Sequence, residues 1–200
     1  MKLETERLIL RPWTEADAEA LYRYAQDDRI GPAAGWPPHT SVENSRDIIR
    51  GVLSLPGTYA VVLKETMEPV GSVGIMKPGQ GSAPMSDTER EIGYWIGVPY
   101  WGQGLIPEAV RELQRHCFEE LNCTAVWCGY FEGNVKSKRV QEKCGFIYQS
   151  TRKDVPCMIE GLVRDEHFTR ISKEEFFGRA CHYAGGCGLR YLVSGYSGAS

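Results

Sequence analysis

Apolar positions alternate and then cycle along the chain in a way that spells out its elements. The opening "ETERLILRPW" alternates toward Leu8, Leu10 and Pro12 and predicts a strand. In "TEADAEALYRYAQD" the apolar residues Ala18, Leu21, Tyr22 and Ala25 keep helical spacing behind Thr14 as N-cap, with acidic side chains in the first turn. The glycines and prolines of "IGPAAGWPPHT" predict a loop, and "SVENSRDIIRGVLSL" a second helix capped by Thr40 or Ser41. "TYAVVLKE" and "PVGSVGIMKP" read as a hairpin closed by "TMEP". After the polar loop "GQGSAPMSD" comes "EREIGYWIGV", a strand dense in aromatic and β-branched residues.

The second half repeats the alternation of strand and helix. In "IPEAVRELQRHCFEEL", residues Leu105, Ile106, Ala109, Val110, Leu113, Cys117 and Leu121 form one apolar stripe. "TAVWCGYF" is apolar throughout and predicts a buried strand. "NVKSKRVQEKC" predicts a short helix ended by Gly145 at C′, and "GFIYQST" and "RDEHFTRIS" the last two strands. The order β-α-α-β-β-β-α-β-α-β-β gives an α+β fold. It predicts a mixed, mostly antiparallel central sheet of about seven strands flanked by about four helices. No internal repeat is visible. From residue 177 the chain is rich in Gly and Ser without a period, so residues 177–200 read as an appendage, disordered or artificially added, to a domain spanning 1–176.

Composition narrows the class. Two hundred residues suffice for one domain with a real core, and 42% hydrophobic and 24% charged residues are ordinary for a globular protein. A net charge of -3 without a Lys/Arg run gives no footing for nucleic acid. The N-terminus has charges where a signal peptide needs apolar residues, and no apolar run reaches the roughly 20 residues of a membrane span. Seven cysteines, an odd number without repeated spacing, read as reduced core residues of a cytoplasmic protein. Cys123 with Cys128, or Cys181, His182 and Cys187, lack the paired short spacings of a zinc site, so no metal is expected.

The chemistry concentrates at "YWGQGLIPEAV", Tyr100 to Val110, where Gly102 and Gly104 open a helix. The N–H groups of Gln103, Gly104, Leu105 and Ile106 sit at the positive end of the helix dipole, an anion site that needs no lysine. A dinucleotide fingerprint fails at its third position, Pro107, and lacks an acidic residue on the next strand. A phosphate loop ending in Gly-Lys-Ser/Thr is absent.

The strand "EIGYWIGV", the turn "PYWGQG" and the helix behind it resemble the acetyl-CoA-binding motif of the GNAT acetyltransferases. "GNVKSKRVQEKCGF", some thirty residues on, resembles that superfamily's second motif, N-x-x-S followed by a helix and Gly-Phe. With "RLILRPW" and "WPPHTSVENS" the pattern is similar to the RimJ/RimL-like branch, the ribosomal-protein-alanine acetyltransferases, over about residues 3–176. The resemblance implies acetyl-CoA as co-substrate and an amine as acceptor, with no metal, no membrane and no nucleic-acid partner, and with a homodimer as an admissible assembly. It implies a strand splayed from its neighbour, so that pantetheine pairs with the backbone of Ile96, Gly97 and Val98. It places Glu91 as general base and Asn134 as both helix cap and pantetheine ligand, with Lys138 and Arg139 within reach of phosphates. Trp36 and His39 stand in the loop that lines the acceptor side in this family.

Two departures stand out. Pro99 replaces the Gln or Arg often found three residues before the first glycine, and Gln141 occupies the position of the tyrosine that serves many members as acid. Ser137 is the polar group left to hydrogen-bond the departing thiolate, and Tyr130 is a weaker candidate. Without that tyrosine, a non-catalytic acyl-CoA-binding or sensor module is the alternative reading. His116 and His167 read as structural, and Val140 and Phe146 as core.

Overall fold

The computed structural model describes residues 2–183. Strands β1 (Leu3–Glu4) and β2 (Leu8–Arg11) form a small hairpin, followed by a 3₁₀ turn (Glu15–Asp17) and α1 (Ala18–Ala25). Then come α2 (Gly31–Ala34), α3 (Val42–Ile48) with a π-helical turn behind it (Ile49–Leu53), and strands β3 (Thr58–Leu63), β4 (Pro69–Met76) and β5 (Glu89–Ile96). The chain closes with α4 (Leu105–Glu119), β6 (Ala125–Phe131), α5 (Val135–Lys143), β7 (Ile147–Pro156), β8 (Val163–Ser172) and α6 (Lys173–Tyr183).

One sheet holds all eight strands of the described residues in the order β1-β2-β3-β4-β5-β6-β8-β7. Every neighbouring pair is antiparallel except β5 and β6. Alternation along the strands splits the core into two layers. Ile92, Ile96, Val126 and Cys128 face α4, which buries Leu105, Val110, Leu113 and Phe118 against them. Ile9, Ala60 and Val62 face the other way, onto Leu21 of α1 and Ile49 beyond α3. Each such fully buried aliphatic or aromatic side chain contributes roughly 1.5–3 kcal/mol.

The predicted mixed sheet is present, with local differences. The single opening strand is two, because residues 5–7 turn back and the Leu8 carbonyl accepts from Thr5 N–H at 3.0 Å. The loop after α1 contains the one-turn helix α2, made possible by Pro32 near its start and ended by Gly35 in the left-handed region (φ 86°). Ser41, rather than Thr40, caps α3 by accepting from Asn44 N–H. In α1 it is Tyr24, not Tyr22, that joins the buried stripe, and Leu121 lies beyond the end of α4 at 43% exposure. Gly145 takes positive φ after α5 as expected. Helix α6 carries the chain across residue 177, and its Phe176 ring packs 5.0 Å from that of Phe118. The remainder of the appendage, 184–200, lies outside the described residues.

Candidate active site

Strands β5 and β6 pair only at Glu89↔Ala125, Arg90↔Val126 and Glu91↔Trp127. Beyond that register both continue, β5 on β4 as far as Gly71↔Ile96 and β6 on β8 as far as Phe131↔Glu166. The sheet therefore opens into a wedge after Glu91. Gly97 N–H bonds Val70 C=O at 2.8 Å, so the ladder's alternation turns the backbone groups of Tyr94 and Ile96 toward the wedge.

A cleft of about 760 Å³ fills the wedge and is lined by Tyr94, Ile96, Gly102, Gly104, Asn134 and Ser137, among others. That volume suits an organic co-substrate. At one end Gly102 and Gly104, both at φ 77°, present the first N–H groups of α4. The turn is held from behind. Arg7 donates from Nη1 to Gln103 C=O (3.0 Å) and from Nε to Glu108 (2.7 Å), and the Gln103 amide donates to Pro99 C=O (2.9 Å). Cations come from α5, whose spacing of three and four residues puts Lys136, Arg139 and Lys143 on the cleft. Lys138, expected there, is turned instead to a smaller pocket with Tyr130, Tyr148 and His167. The anion end thus has backbone donors, a dipole and side-chain cations suited to a pyrophosphate.

Of the three residues expected to pair with pantetheine, Ile96 lines the cleft, but its carbonyl accepts from the Trp101 indole at 3.1 Å. Trp101 in turn lies under the Lys136 ammonium, 4.2 Å from the ring centre. Gly97 spends its N–H on Val70, and its carbonyl and that of Val98 accept from Tyr100 and Trp101 N–H. The free wedge edge therefore begins earlier than the sequence indicated, with the backbone of Tyr94.

Alternation also separates the reactive side chains. Glu91 projects from the face of β5 that carries Trp95, and Tyr94 from the α4 face. Glu91 is buried (4% exposed) under the loop between β4 and β5, where Oε2 accepts from Ala83 N–H (2.9 Å) and Oε1 faces Ser82 Oγ (3.4 Å). Burial first, and repulsion from Glu166 second among the raising causes, push its carboxyl above the ordinary range. Tyr94, which sequence reasoning missed, meets the Ser137 hydroxyl at 3.0 Å. Burial pushes its phenol well up, so it keeps its proton at neutral pH.

Gln141 explains the missing tyrosine. It is 1% exposed and donates to Gly129 C=O (3.0 Å) and Ser137 Oγ (3.3 Å), while its carbonyl accepts from Thr169 (2.7 Å). That position locks α5 onto β6 and β8 and orients Ser137. Gln141→Tyr should therefore raise no thiol release above the wild-type level and lower stability by about 1–3 kcal/mol, read by chemical denaturation, because a larger ring would overpack the site.

Asn134 caps α5, its Oδ1 accepting from Ser137 N–H (3.1 Å), and donates from Nδ2 to Ala33 C=O (3.0 Å). It thereby ties the Trp36 loop to the wedge, as does Arg164, which donates to Pro32 C=O (2.8 Å). Trp36 stacks edge-on with Trp95 at 6.0 Å and so lies on the Glu91 face. His39 is buried between α1 and α3, with Nδ1 2.8 Å from Ser45 Oγ, and burial lowers its pKa. Tyr130 stacks on His167 at 4.8 Å, outside the cleft. Among the described residues no cluster is suited to a metal, and no helix is long and apolar enough to cross a membrane. The set Cys181, His182 and Cys187 lies beyond the described side chains.

The model of the acetyltransferase (GNAT) domain matches residues 7–147. Over 181 residues the chain is 29% identical to the uncharacterized N-acetyltransferase p20 of Bacillus licheniformis, covering 88% of this chain and 98% of that protein. The crystal structure of a GNAT-family acetyltransferase from Bacillus anthracis superposes with a TM-score of 0.74 at 22% identity, over 87% of this chain and 99% of the other. The ribosomal-protein-S5-alanine acetyltransferase of Vibrio fischeri does so with a TM-score of 0.67 at 21% identity, over 88% and 98%.

Proposed function

This chain belongs to the acetyltransferase (GNAT) family and is an N-acetyltransferase, and from that premise we propose that it moves the acetyl group of acetyl-CoA to a primary amine by direct attack on the thioester. The observation that carries the reading is the wedge, with a buried carboxylate on one face of the sheet and a Ser–Tyr pair on the other. A thioester lying between the strands would have its acceptor on the Glu91 side and its sulfur on the Ser137 side. The α4 N-terminus with Lys136 and Arg139 takes the pyrophosphate, and the backbone of Tyr94 and Ile96 faces the pantetheine arm. Glu91 takes the ammonium proton, directly or through a water, and the neutral amine attacks the carbonyl carbon. Ser137, its oxygen held by Gln141 and backed by Tyr94, donates a hydrogen bond to the departing thiolate. Trp36 and Trp95 wall the acceptor side.

The catalytic unit is placed in residues 1–176, with 177–200 as an appendage, and the acceptor class is a protein N-terminal amine of the RimJ/RimL-like kind or a small amine. The buried free thiols of Cys117, Cys123, Cys128 and Cys144 support a cytoplasmic setting. The sensor alternative leaned on the missing tyrosine alone, and the Ser137–Tyr94 pair supplies the donor from elsewhere. Thiol release from acetyl-CoA should be followed with peptides beginning in Ala, Ser or Met, with polyamines and with aminoglycosides. Release with one class identifies the acceptor, whereas acetyl-CoA binding without release from any amine would overturn the transferase mechanism.

A further inference from the structure

Two buried carboxylates on one face of the sheet are treated very differently by their surroundings. Glu89 accepts from Arg170 Nε and Nη2 (3.1 and 2.8 Å), Trp127 Nε1 (3.1 Å) and Ser86 N–H (2.9 Å), so both its oxygens are served. Glu166 of β8 lies on the same face as Glu89, next to Glu91, and is 7% exposed. Its Oε1 accepts from Ser82 Oγ at 2.6 Å, the same hydroxyl that stands 3.4 Å from Glu91 Oε1. Its Oε2 is buried and has no hydrogen-bond partner among the described residues. Buried polar atoms are nearly always satisfied, so an orphaned carboxylate oxygen points to a ligand.

The surroundings narrow that ligand. Arg152, the register partner of Glu166 on β7, donates to Ser82 C=O (2.9 Å) and stacks over Phe168 (5.2 Å), and among the described residues it forms no ion pair with either carboxylate. The floor beside both carboxylates is Gly129, where a Cβ would stand 3.1 Å from Glu166 Oε1 and 3.6 Å from Glu91 Oε1. Four carboxylate oxygens thus share three donors, the Ser82 and Ala83 N–H groups and the Ser82 hydroxyl, none of which reaches Glu166 Oε2. What is missing is a compact cation with several N–H donors, and a primary ammonium supplies three.

We infer that Glu166 and Glu91 form a two-carboxylate clamp for the acceptor's ammonium group, which selects amines with no anionic group beside the reacting nitrogen. The inference rests on the N-acetyltransferase reading above and names the acceptor that this site takes. The amine enters as R–NH₃⁺. Glu91 removes one proton and becomes neutral, Glu166 holds the nitrogen through a remaining N–H, and the nitrogen lone pair forms the new bond to the acetyl carbon as the carbon–sulfur bond breaks. The coenzyme leaves as its thiolate on the Ser137 side and takes up the second proton that the nitrogen sheds, giving free thiol and neutral amide. A carboxylate next to the amine, as in a free amino acid, would face two buried anions and be repelled.

Alaninamide and alanine test this, because they share one amine and differ in the neighbouring charge. Titration calorimetry into the protein with CoA present should show alaninamide binding at least about tenfold more tightly than alanine. Glu166→Gln should weaken alaninamide by about tenfold or more, at unchanged acetyl-CoA affinity, and narrow the preference. Gly129→Ala, which keeps both carboxylates but crowds them, should weaken alaninamide in the same direction and serves if the first variant fails to fold. Equal binding of the two amines, no binding of either, or an affinity that neither variant changes would overturn the clamp. Thiol release with peptide amines by the wild type reports separately on the transferase reading, so the two can fail independently.

Discussion

Glu91→Gln is expected to lower kcat/KM for amine acetylation by about 10²- to 10⁴-fold, the range over which a positioned general base contributes. The change is nearly isosteric. The Gln carbonyl can still accept from Ala83 N–H, and the new amide N–H₂ faces Ser82 Oγ and the Glu166 carboxylate, both of which accept. Acetyl-CoA affinity should therefore hold, since the anion end of the cleft lies with α4 and α5. Stability should hold or rise. Burial, with Glu166 beside it, raises the folded-state pKa of Glu91 above its unfolded value, so the folded protein binds that proton the more tightly. The stabilisation from this group is complete below the unfolded carboxylate pKa and is lost as pH rises through the higher folded pKa. At neutral pH the ionised Glu91 is thus a net burden on the fold, which the neutral amide removes. The same shift predicts that wild-type kcat/KM climbs with pH through a midpoint above the usual carboxylate range, and that this limb disappears in the variant. A pH–rate profile with a thermal melt checks both; a loss below tenfold would remove Glu91 from the base role.

How much of this was legible in the sequence depended on whether the information was local. The glycine turn, the apolar stripe of α4, the Asn134 cap and Gly145 are set by residues within a few positions of one another, and the structure places each where its neighbours require. Lys138 lies off the expected side because the four cations of "NVKSKRVQEKC" surround α5 and do not say which side meets the cleft; the packing of Ser137 and Val140 at the cleft sets the face. Tyr94 was hidden in a run where every residue looked like strand core. Glu166 was hidden for another reason. "RDEHFTRIS" puts Arg164, Asp165, Glu166 and His167 in succession, and period-2 alternation alone leaves open which of the two acids is turned inward. Pairing of Phe131 with Glu166 decides it, and that is a long-range contact. The orphaned Oε2 follows from the loop at Ser82, whose path no local rule predicts.

The anion end of the cleft gives the other large expected effect. Gly104 sits at φ 77° and ψ 7° as the N-cap of α4, in the left-handed region where a β-branched side chain is strained by about 1–3 kcal/mol. Space is not the obstacle, because the nearest atom to an added Cβ is Arg7 Nη2 at 3.7 Å. The backbone is. Gly104→Val has two outcomes open to it: keep the turn and lose stability, or relax to negative φ and swing the N–H groups of Gln103 to Ile106 away from the ligand. Arg7, fixed to Gln103 C=O and to Glu108, resists the second, so both effects should appear in part. Losing one charge-assisted backbone hydrogen bond is worth about 1.5–3 kcal/mol, which raises the acetyl-CoA Kd by roughly ten- to a hundredfold. Gly161→Val separates the two contributions. It stands at φ 72° between β7 and β8 with open space around it and does not line the cleft, so it carries the same strain away from the glycine turn. If it weakens acetyl-CoA as much as Gly104→Val does, the loss is one of global stability and the glycine turn has no part in holding the pyrophosphate. If only Gly104→Val does so, the dipole and N–H groups of α4 are the anchor of the co-substrate.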